Sequence, residues 1–206
     1  MGEGPVSPPQ LRRWTVGGAV IEGPEGVLLV RNRRRGGRVD WSPPGGVIDS
    51  GEGVVEGLSR EVAEETGLAV ACWNGPLYEI DCEAPGLGWH LRVVAFGAAH
   101  PGGELSFCDP DGIVETGAFY AHEACVEQLV AAPPWVREPL VEFLVDRWEG
   151  TRRFNYLIEG TRLDALRVTR LDAERKDDSR STGGNDESGR QEAGRDEDPG
   201  LGGRLP

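Results

Sequence analysis

Short apolar runs alternate with turn-rich connections over residues 13–171. The apolar runs 14–21 and 26–30 are separated by Gly-Pro-Glu-Gly turn chemistry, which predicts two paired strands. The stretch 31–38, RNRRRGGR, reads as a basic loop, and 41–53, WSPPGGVIDSGEG, as a turn-rich connection. Over 54–66 the apolar residues Val54, Val55, Leu58 and Val62 recur near helical spacing, and Gly67 supplies a stop. Further strands are predicted over 69–73, 77–82 and 89–98. A helix over 122–130 places Cys125, Val126, Leu129 and Val130 on one side. Another, over 135–149, carries a stripe of Val136, Leu140, Val141, Leu144, Val145 and Trp148, and Pro139 should keep it from starting much before residue 138. The runs 154–158 and 166–171 predict a closing hairpin. Strands before, around and after a helix indicate a mixed α/β domain.

Composition changes the picture at the ends. An apolar fraction of 38% is low for a fully packed chain. Residues 1–12 are rich in Pro and Gly and read as a flexible arm. Residues 172–206 hold ten acidic and six basic residues, no aromatic, and only Leu201 and Leu205 as large apolar residues. Such a segment buries too little to offset its ordering entropy and is expected to be disordered. The expected organisation is an arm at 1–12, a domain at 13–149, a C-terminal hairpin extension at 150–171 and an acidic tail at 172–206.

The formal charge of −13 argues against a partner that is a nucleic acid polymer. No apolar stretch approaches a membrane span, and MGEGPVSPPQ has neither the basic nor the apolar part of a signal peptide, so a cytoplasmic location is expected. Cys72, Cys82, Cys108 and Cys125 have no CxxC spacing and fit reduced thiols. Lys176 is the sole lysine, which looks like the codon bias of a GC-rich genome, so the arginine excess by itself carries little weight.

The chemistry concentrates in 46–68, GVIDSGEGVVEGLSREVAEETGL. At about 100° per residue, Glu61, Glu64 and Glu65 crowd one face of the predicted helix within about 100°. Their repulsion makes that face costly unless a cation sits on it. Hard oxygen ligands grouped this way suit Mg²⁺ or Mn²⁺ rather than zinc. Arg60 borders Glu64 and can hold a carboxylate in place. A plain solvated acidic helix face is the competing reading of the helix alone.

The spacing resembles the Nudix hydrolase signature G-x5-E-x7-R-E-U-x-E-E-x-G-U, where U is a bulky aliphatic. Gly46, Glu52, Arg60, Glu61, Val62, Glu64, Glu65, Gly67 and Leu68 occupy all nine fixed positions. WSPPGG stands where the family commonly has an aromatic followed by L-P-G-G, with Pro43 in place of the usual Leu. The resemblance implies an α/β/α sandwich around a mixed β-sheet. It implies Glu61, Glu64 and Glu65 as ligands of a divalent metal, joined by the carbonyl of Gly45 or Gly46. Arg60 orients the glutamates, and Glu61 or another nearby carboxylate is the base. Gly46, Glu52 and Gly67 support the motif around them. The implied reaction is pyrophosphohydrolysis of a nucleoside diphosphate linked to another moiety, of the nucleoside triphosphate or nucleotide-sugar type. Family members are often homodimers. A catalytically silent, nucleotide-binding sensor domain is the alternative, although such domains usually lose a box carboxylate.

A further metal carboxylate is sought in 108–120, CDPDGIVETGAFY, where Glu115 and Asp111 are the candidates beside the reading of a plain acidic turn. Among Arg31, Arg33, Arg34, Arg35 and Arg38, Arg31 is the first choice for gripping substrate phosphate because it follows the VLLV run. Trp41 and Trp89 are candidates for stacking on a base, against core packing. His90, His100 and His122 show no spacing that suggests catalysis. Deleting residues 173–206 is expected to leave activity and melting temperature nearly unchanged; a large loss of either would make the tail part of the enzyme.

Overall fold

The structure is a computed structural model describing residues 11–99, 101–162 and 165–171. The expected arm lies outside the described residues apart from residues 11 and 12, and the expected tail and His100 lie outside altogether. β1 (Arg12–Gly23) and β2 (Gly26–Arg33) follow one another across a tight turn, as their apolar runs predict. Their pairing is brief: only Glu22↔Val27 and Gly23↔Gly26 are in register. Beyond that point β1 runs parallel to β5 (Trp89–Ala99), from Arg12↔Trp89 to Glu22↔Ala99.

β2 instead pairs antiparallel with β3 (Val39–Ser42) and β6 (Val114–Tyr120). β4 (Asn74–Ala84) lies antiparallel to β5 and parallel to β7 (Arg152–Glu159), and β8 (Arg167–Leu171) closes the hairpin with β7. The sheet order is β3-β2-β1-β5-β4-β7-β8, with β6 against β2.

Helices cover both faces. α1 (Val54–Thr66) sets Leu58 and Val62 against Ala19, Ile21, Leu28, Leu68 and Ala98. On the other face, α2 (His122–Gln128), the 3₁₀ turn after it and α3 (Pro134–Asp146) cover Val20, Leu29, Tyr78, Ile80 and Tyr156. This is an α/β/α arrangement around a mixed sheet.

Several local expectations give way to tertiary packing. Residues 69–73 form no strand; Ala69 makes only an isolated bridge to Gly102. β3 and β6 lie where the apolar pattern is too short or too polar to announce a strand, and their partner β2 supplies what the pattern lacks. Val55 is 41% exposed, whereas Cys125 and Leu129 turn inward and leave Val126 and Val130 in solvent.

α3 starts at Pro134, well before Pro139. Pro134 suits the first helical position because its missing N–H would have no partner there. Pro139 forfeits one helical hydrogen bond, a strain of about 3 kcal/mol or more in a helix interior. Burial of Pro139, Leu140, Phe143 and Leu144 offsets it, at about 1.5–3 kcal/mol per large apolar side chain. The buried stripe therefore includes Phe143, while Val145 is exposed. Leu58 has no exposed surface and seats α1 on the sheet. Leu58→Ala is expected to cost about 2–5 kcal/mol in urea unfolding; a loss below about 1 kcal/mol would show that α1 is held by something else.

Candidate active site

The sequence from Gly53 to Gly67 builds the platform. Glu56 in the first turn of α1 suits the helix dipole, and Gly67 ends the helix in a left-handed conformation with its N–H on the Ala63 carbonyl at 2.9 Å. Helical periodicity then brings Arg60, Glu61, Glu64 and Glu65 to one side.

Arg60 is the hub. Its Nε and Nη2 donate to Glu52 Oε1 and Oε2 at 3.2 and 3.1 Å, a two-point grip across eight residues. Its Nη1 donates to Glu61 Oε1 at 2.8 Å and Glu64 Oε2 at 3.2 Å. One guanidinium thus ties the turn before α1 to two carboxylates on α1. The hydrogen bond from Arg60 holds the Glu52 carboxyl below its usual range, despite a smaller opposing effect of burial. Burial pushes Glu61 up, against the pull of Arg60 and with help from the negative charges of Glu64 and Asp111.

Glu65 is the exception among surface glutamates. It lies on the buried side of α1 at 8% exposure. Gly45 N–H donates to its Oε2 at 2.8 Å. Burial pushes its carboxyl up to about 8, with the Gly45 hydrogen bond opposing and the charges of Glu61 and Asp109 adding to the rise.

The turn after β3 must come very close for this contact. A Cβ on Gly45, where φ is 138°, would lie 2.1 Å from the Gly17 carbonyl oxygen, and one on Gly46 would lie 2.3 Å from Glu61 Oε2. At Gly45 the backbone clash and the positive φ leave room only for glycine, whereas a side chain at Gly46 would push the Glu61 carboxylate aside. The Gly46 carbonyl accepts from Gly17 N–H at 3.0 Å, so of the two carbonyls considered as metal ligands Gly45 is the less engaged.

The loop before β6 adds acid from a second element. Asp109 Oδ1 accepts from Asp111 N–H at 3.0 Å, while its Oδ2 accepts from Ile113 and Val114 N–H at 2.6 and 2.8 Å. This brace sets the loop so that Asp111 acts on Glu61 and Asp109 on Glu65. Asp111 is a candidate from the sequence and Asp109 is not, although the Asx-type turn signal at Asp-Pro-Asp-Gly points to it. Glu115 goes elsewhere: it pairs with Arg31 and Arg33. Those arginines alternate along β2 with Asn32, on the opposite face from Leu28, which joins the α1 cluster. The structure therefore groups Arg31 with Glu115 and away from the α1 carboxylates. Trp41 packs edge-on against Tyr120 at 5.4 Å, and Trp89 is buried in the larger core. His90 Nε2 lies 2.9 Å from Asp81 Oδ1, and His122 Nε2 lies 3.0 Å from Arg147.

The donors around Glu61, Glu64, Glu65, Asp111 and the Gly45 carbonyl are all oxygen. The set includes a buried carboxylate whose neighbours are mostly negative, which fits a hard divalent cation. In the structure the α1 carboxylates are spread between Arg60 and Gly45 N–H. The compact His/Asp/Glu group among the described residues is instead Asp81, Glu83 and His90 on β4 and β5, with donor atoms within 4.8 Å of one another. A cation at α1 competes with Arg60 for Glu61 and Glu64.

Comparison with known proteins gives a family. The NUDIX domain matches residues 11–143. The chain is 33% identical over 104 residues to the 8-oxo-dGDP phosphatase NUDT18 of Mus musculus, an alignment covering 49% of this chain and 30% of that protein. The chain thus spans under a third of that relative's length. Among solved structures, the MutT protein from Methanosarcina mazei Go1 superposes with a TM-score of 0.57 at 18% identity, covering 68% of this chain and 99% of that one. The mutator MutT protein from Bacillus halodurans gives 0.56 at 22% identity, covering 75% and 97%. These two likenesses establish the fold. No helix among the described residues is long and apolar enough to cross a membrane.

The raised Glu65 carboxyl has a signed consequence for the metal-free protein. Its folded value of about 8 lies above the roughly 4.3 of an unfolded chain, so between these values the folded state binds the extra proton. Its contribution to stability is complete below about pH 4 and declines as pH rises toward 8. In EDTA, wild type is expected to lose melting temperature relative to Glu65→Gln between pH 5 and pH 8. Added Mg²⁺ at pH 8 restores wild type but not the variant. Parallel pH profiles for the two proteins would contradict this account.

Proposed function

We propose that this chain, which belongs to the NUDIX family, is a metal-dependent pyrophosphohydrolase. Its substrate is a nucleoside diphosphate linked to another moiety, of the nucleoside triphosphate or nucleotide-sugar type. The observation that carries the reading is the burial of Glu65 beside the negative charges of Glu61 and Asp109, with all-oxygen donors around it. The name of the mouse relative, an 8-oxo-dGDP phosphatase, supports a nucleoside diphosphate core for the substrate.

In this reading Glu61, Glu64 and Glu65, with the Gly45 carbonyl, hold Mg²⁺ or Mn²⁺, and Asp111 is the nearby acid from a second element. A divalent ion held there would supply neutralisation of the diphosphate charge and a more acidic water. Arg60 fixes the rotamers of Glu61 and Glu64 by pinning them to the same guanidinium that grips Glu52. Glu61, or a carboxylate beside it, takes the proton of the attacking water, a role commonly worth about 10²–10⁴-fold. Gly45 N–H keeps Glu65 aimed at the site from the turn.

Phosphate release tests the reading across nucleoside triphosphates, 8-oxo-dGTP, 8-oxo-dGDP, ADP-ribose, NADH, dinucleoside polyphosphates and coenzyme A, with Mg²⁺, Mn²⁺ or EDTA. Metal-dependent turnover concentrated on one compound is expected. Silence from folded protein would favour the sensor alternative. Glu61→Gln and Glu65→Ala are each expected to lower turnover by at least about 10²-fold with the fold intact, by analogy with the loss of a positioned base or ligand. Near-normal activity in either variant would remove that residue from the mechanism.

A further inference from the structure

We propose that Arg34, clamped by the buried Asp40, is the residue that grips the substrate's diphosphate; this rests on the pyrophosphohydrolase reading above. Leu28 packs on Leu58 and Val62 of α1, so Val30 and Asn32 share that face of β2. Antiparallel register sets Ser42 opposite Val30 and Asp40 opposite Asn32, which places both β3 residues on the α1 face. Three residues past Ser42 the same chain reaches Gly45, whose N–H holds Glu65. The β2–β3 hairpin therefore leads straight into the glutamate site.

Asp40 is an unusual residue for a hairpin. Its side chain is 3% exposed. Asn32 Nδ2 approaches Oδ1 at 3.4 Å, and Arg34 Nε donates to Oδ1 and Oδ2 at 3.0 and 3.2 Å. Arg38 lies farther out, 3.9 Å from Oδ2. Arg34, Arg38 and Asp40 together carry one net positive charge.

Because Arg34 uses Nε for Asp40, its two terminal amino groups donate to nothing among the described residues. They form a pre-oriented fork, suited to two oxygens of a phosphate. The side chain is 30% exposed, so the fork is accessible. The Arg34 charge also reaches Glu65, where it opposes the effect of burial. Arg31 and Arg33 share Glu115 on the other face of β2, turned away from the carboxylates of α1. Arg34 is thus the substrate-binding cation, and Asp40 is a positioning residue acting through it.

The test separates gripping from mere structure with methylenediphosphonate, a non-hydrolysable diphosphate, titrated calorimetrically into the full chain with Mg²⁺. Arg34→Ala is expected to weaken binding by about tenfold or more, as for loss of a charge-assisted hydrogen bond. It is also expected to lower the melting temperature by stranding Asp40. The double variant Arg34→Ala/Asp40→Asn removes the stranded charge. It should recover melting temperature while binding stays weak, and KM on the substrate found in the panel should rise with kcat changed far less. Recovery of binding in the double variant, or undiminished binding in Arg34→Ala, overturns the proposal. So does loss of binding in Arg31→Ala with none in Arg34→Ala. Wild type that binds no diphosphonate and turns over no panel compound overturns the pyrophosphohydrolase reading itself, an outcome distinct from all of these.

Discussion

Glu65 is a carboxylate held out of water at the joint between α1 and the turn after β3, and much of the surrounding structure is arranged around that contact. A buried charge is tolerated only when donors or cations answer it. Gly45 N–H answers in part, which requires the turn to approach within van der Waals limits that exclude a side chain at Gly45. The turn is in turn tied to β1: Gly17 N–H bonds the Gly46 carbonyl, Ala19 N–H bonds the Pro44 carbonyl, and Ile48 N–H bonds the Thr15 carbonyl. The position of one carboxylate thus depends on an edge-on fit between a glycine turn and a sheet strand.

Arg60 supplies the complementary constraint. It gathers Glu52, Glu61 and Glu64 around one guanidinium and prevents the mutual repulsion of those carboxylates from fraying the helix. Because a guanidinium cannot be deprotonated near neutral pH, this order persists wherever the carboxylates are ionised. The site is therefore electrostatically asymmetric. Glu61 and Glu64 are partly answered within the helix, while the negative charges of Glu61 and Asp109 act on buried Glu65, which remains the point of greatest need for a cation.

The sheet explains why acids and bases from distant parts of the chain sort as they do. β2 has neighbours on both sides, and its alternation sends Val30 and Asn32 toward α1 and Arg31 and Arg33 away. The register irregularity between Arg31 and Asn32 in the β2–β6 pairing lies at the place where Glu115 joins those arginines. Glu115, a candidate metal ligand by its place in the chain, forms ion pairs with two arginines by its place in the sheet.

What the sequence determined is local and periodic. α1 is legible to the residue because helical spacing and a terminal glycine act over a few bonds, and the signature spacing identifies the family for the same reason. The class of the fold followed from the order of apolar runs. What only the tertiary structure decided depends on partners far away in the chain. β3 and β6 exist because β2 pairs with them, not because four or seven half-polar residues prefer extension. α3 begins ahead of Pro139 because burial outweighs a lost hydrogen bond. Glu65 is buried while Val55 is exposed because Leu58 and Val62 seat α1 on the sheet and the glycine turn closes over Glu65. The difference between Arg31 and Arg34, three residues apart in an arginine-rich stretch, is invisible to composition and spacing. It arises from strand alternation and from Asp40, a single buried carboxylate across the hairpin.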